Sequence, residues 1–294
     1  MLEKRTSSGQ VGRRPLRLAV SAALGAALPL VAPGFGALLA GCGAEGEATT
    51  SGRRVELETR LELGPEGASF TTPLDWSVTL TRAYLSIGVL RYFDGVPPIA
   101  RLDATGASDS AGARFFGLHV AHAHPGHYQA GNVLGEMLVP SSVDLLSGTT
   151  VLEAGAGVSG WYRSGRFTLN TPPVGPFAEE LEGRVAVVEG FAEKAAESRR
   201  WFRAVADASE VADSAPNGEV DGCVFEAVDV ETDGTVTLRV SPSEWFTLVD
   251  FSELEPGSAD EPSEFPAGSQ PRIAFAQGVA ELSAYRFSFQ PTVQ

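Results

Sequence analysis

The chain has 294 residues and a formal net charge of −15 at pH 7, with 37 acidic and 22 basic side chains. This acidity argues against nucleic acid as a partner, because a negative surface repels phosphate backbones. A domain takes about 100–200 residues, so the length allows one large or two small domains with a sizeable core.

The N-terminal segment, residues 1–41, predicts an export signal. A basic start is followed by the apolar run LRLAVSAALGAALPLVAPGFGALLAG, which prolines and glycines interrupt. This order is typical of a signal peptide, and the interruptions disfavour a permanent membrane helix. An uncleaved anchor is the alternative. The arginine pair at residues 13–14 is similar to a twin-arginine export signal, although a general basic n-region is the preferred interpretation.

The export segment ends in Leu39-Ala40-Gly41-Cys42, which resembles the lipobox of bacterial lipoproteins. The resemblance implies cleavage before Cys42, attachment of lipid to its thiol and anchoring in a membrane of the cell envelope. Gly43, in place of aspartate, implies the outer membrane, facing the periplasm or the cell surface.

Removal of residues 1–41 would make the chain more acidic. That segment holds five of the 22 basic and one of the 37 acidic residues, so the formal charge falls from −15 to −19. Residues 42–54 are small and polar and predict a tether, and residues 55–294 predict the folded domain. Cys223 is the only cysteine of that domain, which excludes an intramolecular disulfide.

Most of the domain shows apolar residues with a period of two, which is typical of β-strands. The turn pair Asp94-Gly95 ends the longest run. The predicted strands, in chain order, are VELETRLEL (55–63), WSVTLTRAYLSIGVLRYF (76–93), FFGLHVAHAH (115–124), TTVLEA (149–154), GWYRSGRFTLN (160–170), GRVAVVEGF (183–191), CVFEAVDV (223–230), TVTLRV (235–240), RIAFAQGV (272–279) and AYRFSF (284–289). Many short strands separated by turns predict an all-β fold, an antiparallel β-sandwich or barrel.

Helical and irregular segments are few. AEKAAESRRWFRAVADA (192–208) predicts the one substantial helix, and Ser241 predicts the N-cap of a short turn with Glu244 three residues later. ETDG (231–234) predicts a hairpin between the strands on either side, because Asp-Gly accepts positive φ at little cost. The Pro-, Ser- and acid-rich residues 255–271 predict a mobile surface loop.

One glycine motif invites a functional interpretation that its context does not support. GAGVSG (155–160) matches G-x-G-x-x-G, but dinucleotide binding requires a helix directly after the motif. The residues that follow are strand-like, so we expect the glycines to form a turn.

The candidate site is the segment HVAHAHPGHY (119–128), which contains all four histidines of the chain. In a strand, His122 and His124 share one face at a spacing of roughly 6.5–7 Å, which lets both bind one metal ion. The turn at Pro125-Gly126 can return His127 to His124. His119 lies on the opposite face and fits the site less well. The spacing therefore predicts a three-histidine metal site.

The fourth ligand and the metal remain open at this point. Glu136 and Asp144, downstream of the histidines, are acidic candidates, and Met137 would suit Cu(I). Imidazole suits copper, zinc and nickel, so copper or zinc is the expected ion, with copper preferred outside the cytoplasm. Histidines that only form hydrogen bonds, or that sense pH, are the alternatives without a metal.

The strand LTRAYLSIGVLRYFDG (80–95) is similar to the opening of the methanobactin-associated, metallo-mystery-pair copper-binding proteins, which are β-rich and periplasmic. The similarity covers about 16 residues, and the cysteine motif of those proteins is missing here. The resemblance implies a β-rich exported protein and transfers no functional residue.

Three functions are compatible with these features. The first is an envelope lipoprotein that captures copper or zinc, or delivers it to another envelope protein that the sequence does not identify. The second is a metalloenzyme in which three histidines leave a coordination position open, with Glu136 as the only general base in view. The third is a structural or interaction lipoprotein without metal.

Overall fold

The computed structural model describes residues 52–98, 129–195 and 197–292. Within these residues, fourteen strands form one mixed sheet, which confirms the all-β prediction and gives a sandwich- or barrel-like architecture. The strands are β1 (Arg54–Leu63), β2 (Ser69–Thr71), β3 (Ser77–Phe93), β4 (Val133–Met137), β5 (Ser141–Asp144), β6 (Thr150–Val151), β7 (Gly155–Val158), β8 (Gly160–Leu169), β9 (Ala186–Glu193), β10 (Arg200–Ala206), β11 (Glu219–Val230), β12 (Gly234–Val240), β13 (Ser263–Glu264) and β14 (Tyr285–Pro291).

Three short α-helices lie wholly within the described ranges, instead of the one predicted. They are α1 (Ala208–Val211), α2 (Pro242–Trp245) and α3 (Gln270–Val279). Ser241 occupies the N-cap of α2, as predicted, although its side chain makes no capping hydrogen bond. No helix in the described part of the chain is long and apolar enough to cross a bilayer.

Strand β3 organises the sheet because its two halves have different neighbours. Its first half, from Ser77 to Leu85, pairs with β9. Its second half pairs with β4 on one edge and with β8 on the other. From β3, hydrogen-bonded neighbours follow in the order β4, β7, β1, β12, β14, β11 and β8, and β8 pairs with β3 again. The sheet therefore curls around a shared core.

Period-two burial fills that core with large side chains. In β1, Val55, Leu57 and Leu61 are buried while the charged residues between them are more exposed. Where β3, β8, β11 and β14 meet, the rings of Tyr92, Phe225 and Phe287 lie with centroids within 6 Å of one another. Such aromatic contacts contribute beyond the area they bury.

The predicted antiparallel arrangement holds for most but not all pairs. Strand β12 runs parallel to β1, and β14 runs parallel to β11. The hairpin predicted at residues 231–234 is wrong, because β14 lies between β11 and β12 and pairs with both. Gly234 of the Asp-Gly pair begins β12, and β14 takes the place that a hairpin partner would have had.

The helix predicted for residues 192–208 is also wrong. The segment contains the end of β9, a turn and the whole of β10, which pairs with β9 from Arg200 to Ala206. Alanine, glutamate and lysine at residues 192–197 favour a helix, but residues 200–206 place Phe202 and Ala204 in the core at strand spacing. Tertiary pairing therefore overrides local propensity.

The strand predicted for residues 272–279 is part of α3. Its buried residues include Arg272, Phe275, Ala276 and Val279, spaced three and four apart as on one side of a helix. The preceding segment, predicted as a mobile surface loop, contains β13, which pairs with β10. Part of that segment is therefore fixed to the sheet.

Candidate functional site

The structure places only one of the predicted metal ligands. His119, His122, His124 and His127 lie outside the described residues, as does the predicted lipidation site Cys42. Glu136 is in β4. The histidine positions belong to the connection between β3 and β4, and the structure describes the two ends of that connection.

The described ends of the β3–β4 connection are held together. The backbone N–H of Gly95 donates to the carbonyl of Ala130 at 2.9 Å. The Asp94 carboxylate accepts from the backbone N–H of Asn132 at 2.7 Å and from its side-chain amide at 3.0 Å. The Ser164 hydroxyl of β8 donates to the carbonyl of Gly95 at 2.7 Å. These bonds continue the β3–β4 pairing and fix the base of the connection on the sheet.

Glu136 faces outward from β4, directly opposite Arg91 of β3. Its carboxylate Oε2 lies 3.5 Å from the Arg91 Nε, and both side chains are about 40% exposed. A pair this exposed contributes little to stability. The Glu136 carboxylate is therefore accessible, and any metal that it bound would compete with the Arg91 guanidinium.

The other two candidates differ from Glu136 in their surroundings. The Asp144 carboxylate accepts a hydrogen bond from the backbone N–H of Leu146 at 2.9 Å and caps the turn after β5. Met137 is buried in the core, so its thioether is not presented at the surface. In β4, the carboxylate oxygens of Glu136 are therefore accessible to a metal ion, whereas the sulfur of Met137 is not.

A shallow depression of about 300 Å³ surrounds Glu136 on the outer side of β4 and β7. Below it, the hydroxyl of Tyr162 lies 2.9 Å from the carbonyl oxygens of Leu134 and Val158. Burial raises the pKa of Tyr162 to about 12, and this effect outweighs the hydrogen bond with the Val158 backbone, which lowers the pKa. Tyr162 therefore keeps its proton at neutral pH and is not available as an anionic ligand.

No group of three or more His, Cys, Asp or Glu side chains with metal-binding geometry occurs among residues 52–98, 129–195 and 197–292. The thiol of Cys223 is buried. Burial is the main cause that raises its pKa well above the ordinary value, and the nearby Asp221 charge adds to the effect. A buried thiol that stays protonated is a poor nucleophile and a poor metal ligand. The described residues by themselves thus offer Glu136 as a single ligand rather than a complete site.

The strongest cluster of charged residues was not predicted from the sequence. Arg272 in α3 is 6% exposed, and its guanidinium contacts Asp207 at 2.6 Å, Glu210 at 2.7 Å and Glu264 at 3.3 Å. Burial lowers the pKa of Arg272, but the hydrogen bond and charge of Glu210, with the other two carboxylates, outweigh it and raise the pKa above its ordinary value.

Neighbouring arginines extend this cluster. Arg184 and Arg203 each lie 3.5 Å from the Glu264 carboxylate, and Arg203 also contacts Glu189 at 2.7 Å. The positive and negative charges of this cluster balance each other, and its ion pairs join α3 to β10, β13 and α1. We therefore expect the cluster to stabilise the fold. The helix predicted for residues 192–208 gave no indication of this cluster, because it assigned Arg203 and Asp207 to one helix instead of to β10 and the N-cap of α1.

No family model, curated protein or solved structure gives a significant match to the chain.

Proposed function

We propose that this chain is an envelope lipoprotein that binds copper or zinc through His122, His124 and His127, for capture or delivery of the metal. One observation carries the proposal: a chain of 294 residues has four histidines, and all of them lie within nine positions. Random surface composition would scatter them, whereas imidazoles two and three residues apart suit one metal ion.

Two features of the described residues support this assignment. The ends of the β3–β4 connection are fixed by Asp94 and Asn132, which provides a rigid base for a ligand-bearing segment. Glu136, an accessible carboxylate, is in the strand that immediately follows the connection. A half-exposed carboxylate next to several histidines is an ordinary ligand set for zinc or Cu(II).

Metal content is the direct test of the proposal. The protein, purified without a histidine tag, is expected to contain about one equivalent of copper or zinc by inductively coupled plasma mass spectrometry. The metal-free protein should regain that equivalent when titrated with Cu(II) or Zn(II). A protein that contains neither metal and binds neither in the titration would contradict the proposal.

The lipid anchor has a separate test at Cys42. Cys42→Ser is expected to abolish incorporation of labelled fatty acid and to leave the precursor unprocessed, because the thiol is the proposed attachment point. Cys223→Ser is the matched control, since that cysteine is buried in the domain and should leave labelling unchanged. Labelled, membrane-associated Cys42→Ser protein would refute the anchor without affecting the metal proposal.

A further inference from the structure

A groove of about 550 Å³ lies between α2 and α3 and extends along α3 from Ala274 to the residues that follow its C-terminus. Its floor is formed by small side chains and by close packing of the two helices. A Cβ added to Gly278 would lie 2.5 Å from the backbone oxygen of Trp245, so only glycine permits this approach. The volume lies within the range of about 300–1,000 Å³ that is common for ligand pockets.

The electrostatics of the groove are one-sided. Glu244 and Glu281 line it, and none of the other lining residues is basic. Neither carboxylate belongs to an ion pair in the described part of the chain. The C-terminus of α3 has no basic residue in its last turn, so its partial negative charge adds to that of Glu281, one residue beyond the C-cap Ala280.

This arrangement is unfavourable for the isolated protein. A carboxylate next to a helix C-terminus is destabilising, because the helix dipole favours a cation there. Elsewhere on the surface, arginines compensate the carboxylates, as around Glu264. In the groove, by contrast, no arginine or lysine of the described residues pairs with the carboxylates of Glu244 and Glu281.

An exposed apolar side chain lies on the rim of the groove. Leu248, one of its lining residues, is 62% exposed. The side-chain amide of Gln270 donates to the carbonyl of Leu248 at 2.6 Å, which places Leu248 beside the first turn of α3. The negative groove therefore adjoins an exposed apolar side chain, a combination found at interaction sites.

We propose that this groove binds a peptide segment of a partner protein in which an arginine or lysine adjoins a bulky apolar side chain. The cationic group would lie between Glu244 and Glu281, and the apolar side chain would cover Leu248. A second copy of this chain is disfavoured as the occupant because its net charge of −15 repels the groove. A small inorganic cation would leave the apolar rim uncovered.

The test uses the full-length chain and a fluorescein-labelled hexapeptide of alternating leucine and arginine, with binding followed by fluorescence polarisation at physiological salt. The double variant E244Q/E281Q is expected to weaken binding about tenfold, since each exposed charge pair contributes up to about fivefold. Leu248→Ser should also weaken it. Glu255→Gln, which removes an equal charge from the connection between α2 and β13, is the matched control and should bind as the parent does.

Three results would overturn the proposal. The first is equal binding of the parent and of E244Q/E281Q. The second is equal binding of a peptide in which glutamate replaces arginine. The third is full competition by free arginine or by magnesium at concentrations similar to that of the peptide, which would indicate a site for a small cation. Because neither glutamate belongs to the metal proposal, each of these outcomes leaves that proposal unaffected.

Discussion

Arg272→Ala is expected to lower the free energy of unfolding by about 3 kcal/mol, in the range measured when one partner of a buried ion pair is removed. Arg272 is 6% exposed, and its guanidinium holds three carboxylates from two separate segments, Asp207 and Glu210 at α1 and Glu264 in β13. Its removal leaves those carboxylates close together with less compensating charge. Urea unfolding followed by circular dichroism measures the change.

Two further variants identify the cause of this destabilisation. Arg60→Ala breaks an ion pair with Glu58 in which both side chains are more than 40% exposed, so it should cost less than about 1 kcal/mol. Arg272→Lys keeps the charge but loses the forked geometry, and we expect an intermediate effect. If Arg272→Ala unfolds at the same urea concentration as Arg60→Ala, the cluster does not contribute to stability as inferred.

His122→Ala, His124→Ala and His127→Ala are each expected to weaken metal binding by several kcal/mol, which is 100-fold or more in Kd. Structural zinc sites are worth about 10–16 kcal/mol, and each histidine would supply about a third of the ligands. His119→Ala should have the smallest effect of the four, because in the strand predicted from the sequence alternation would direct it to the opposite face. Isothermal titration with Cu(II) and Zn(II) measures each Kd.

The pH dependence of metal binding and a substitution of the proposed fourth ligand provide two further tests of the same site. Binding should fail below about pH 6, since a protonated imidazole cannot coordinate a metal. Glu136→Gln should weaken binding if this carboxylate is a ligand, and Glu58→Gln, another half-exposed carboxylate paired with arginine, is its control. Equal binding by the parent and all four histidine variants would exclude the cluster as the metal site.

The strands were predictable where burial alternates along the sequence. In β1 and β12 every second residue is buried in the core, so the period of two is visible without knowledge of the partners. Pairing partners are not visible in this way. The hairpin at residues 231–234 failed because β14 competes for the same edges, and that competition is decided by residues more than 50 positions away.

The helices and the site show the same limit. Phe275 and Val279 in α3 are apolar residues that fit a strand and a helix equally well in a short window, and only their packing distinguishes the two. Glu136 was predicted as a ligand from its sequence position alone, and its pairing with Arg91 depends on the register between β3 and β4. The Arg272 cluster forms only when the fold brings residues 207, 210, 264 and 272 together, and no local sequence pattern predicts these contacts.

The position of β14 has a consequence for biogenesis. This last strand lies between β11 and β12, so the sheet is incomplete until residues 285–291 have left the ribosome and, for an exported chain, have crossed the membrane. Until then the facing edges of β11 and β12 present unpaired backbone groups, which promote aggregation. Such long-range pairing also slows folding. Loss of residues 285–291 would therefore expose two strand edges at once, one on β11 and one on β12.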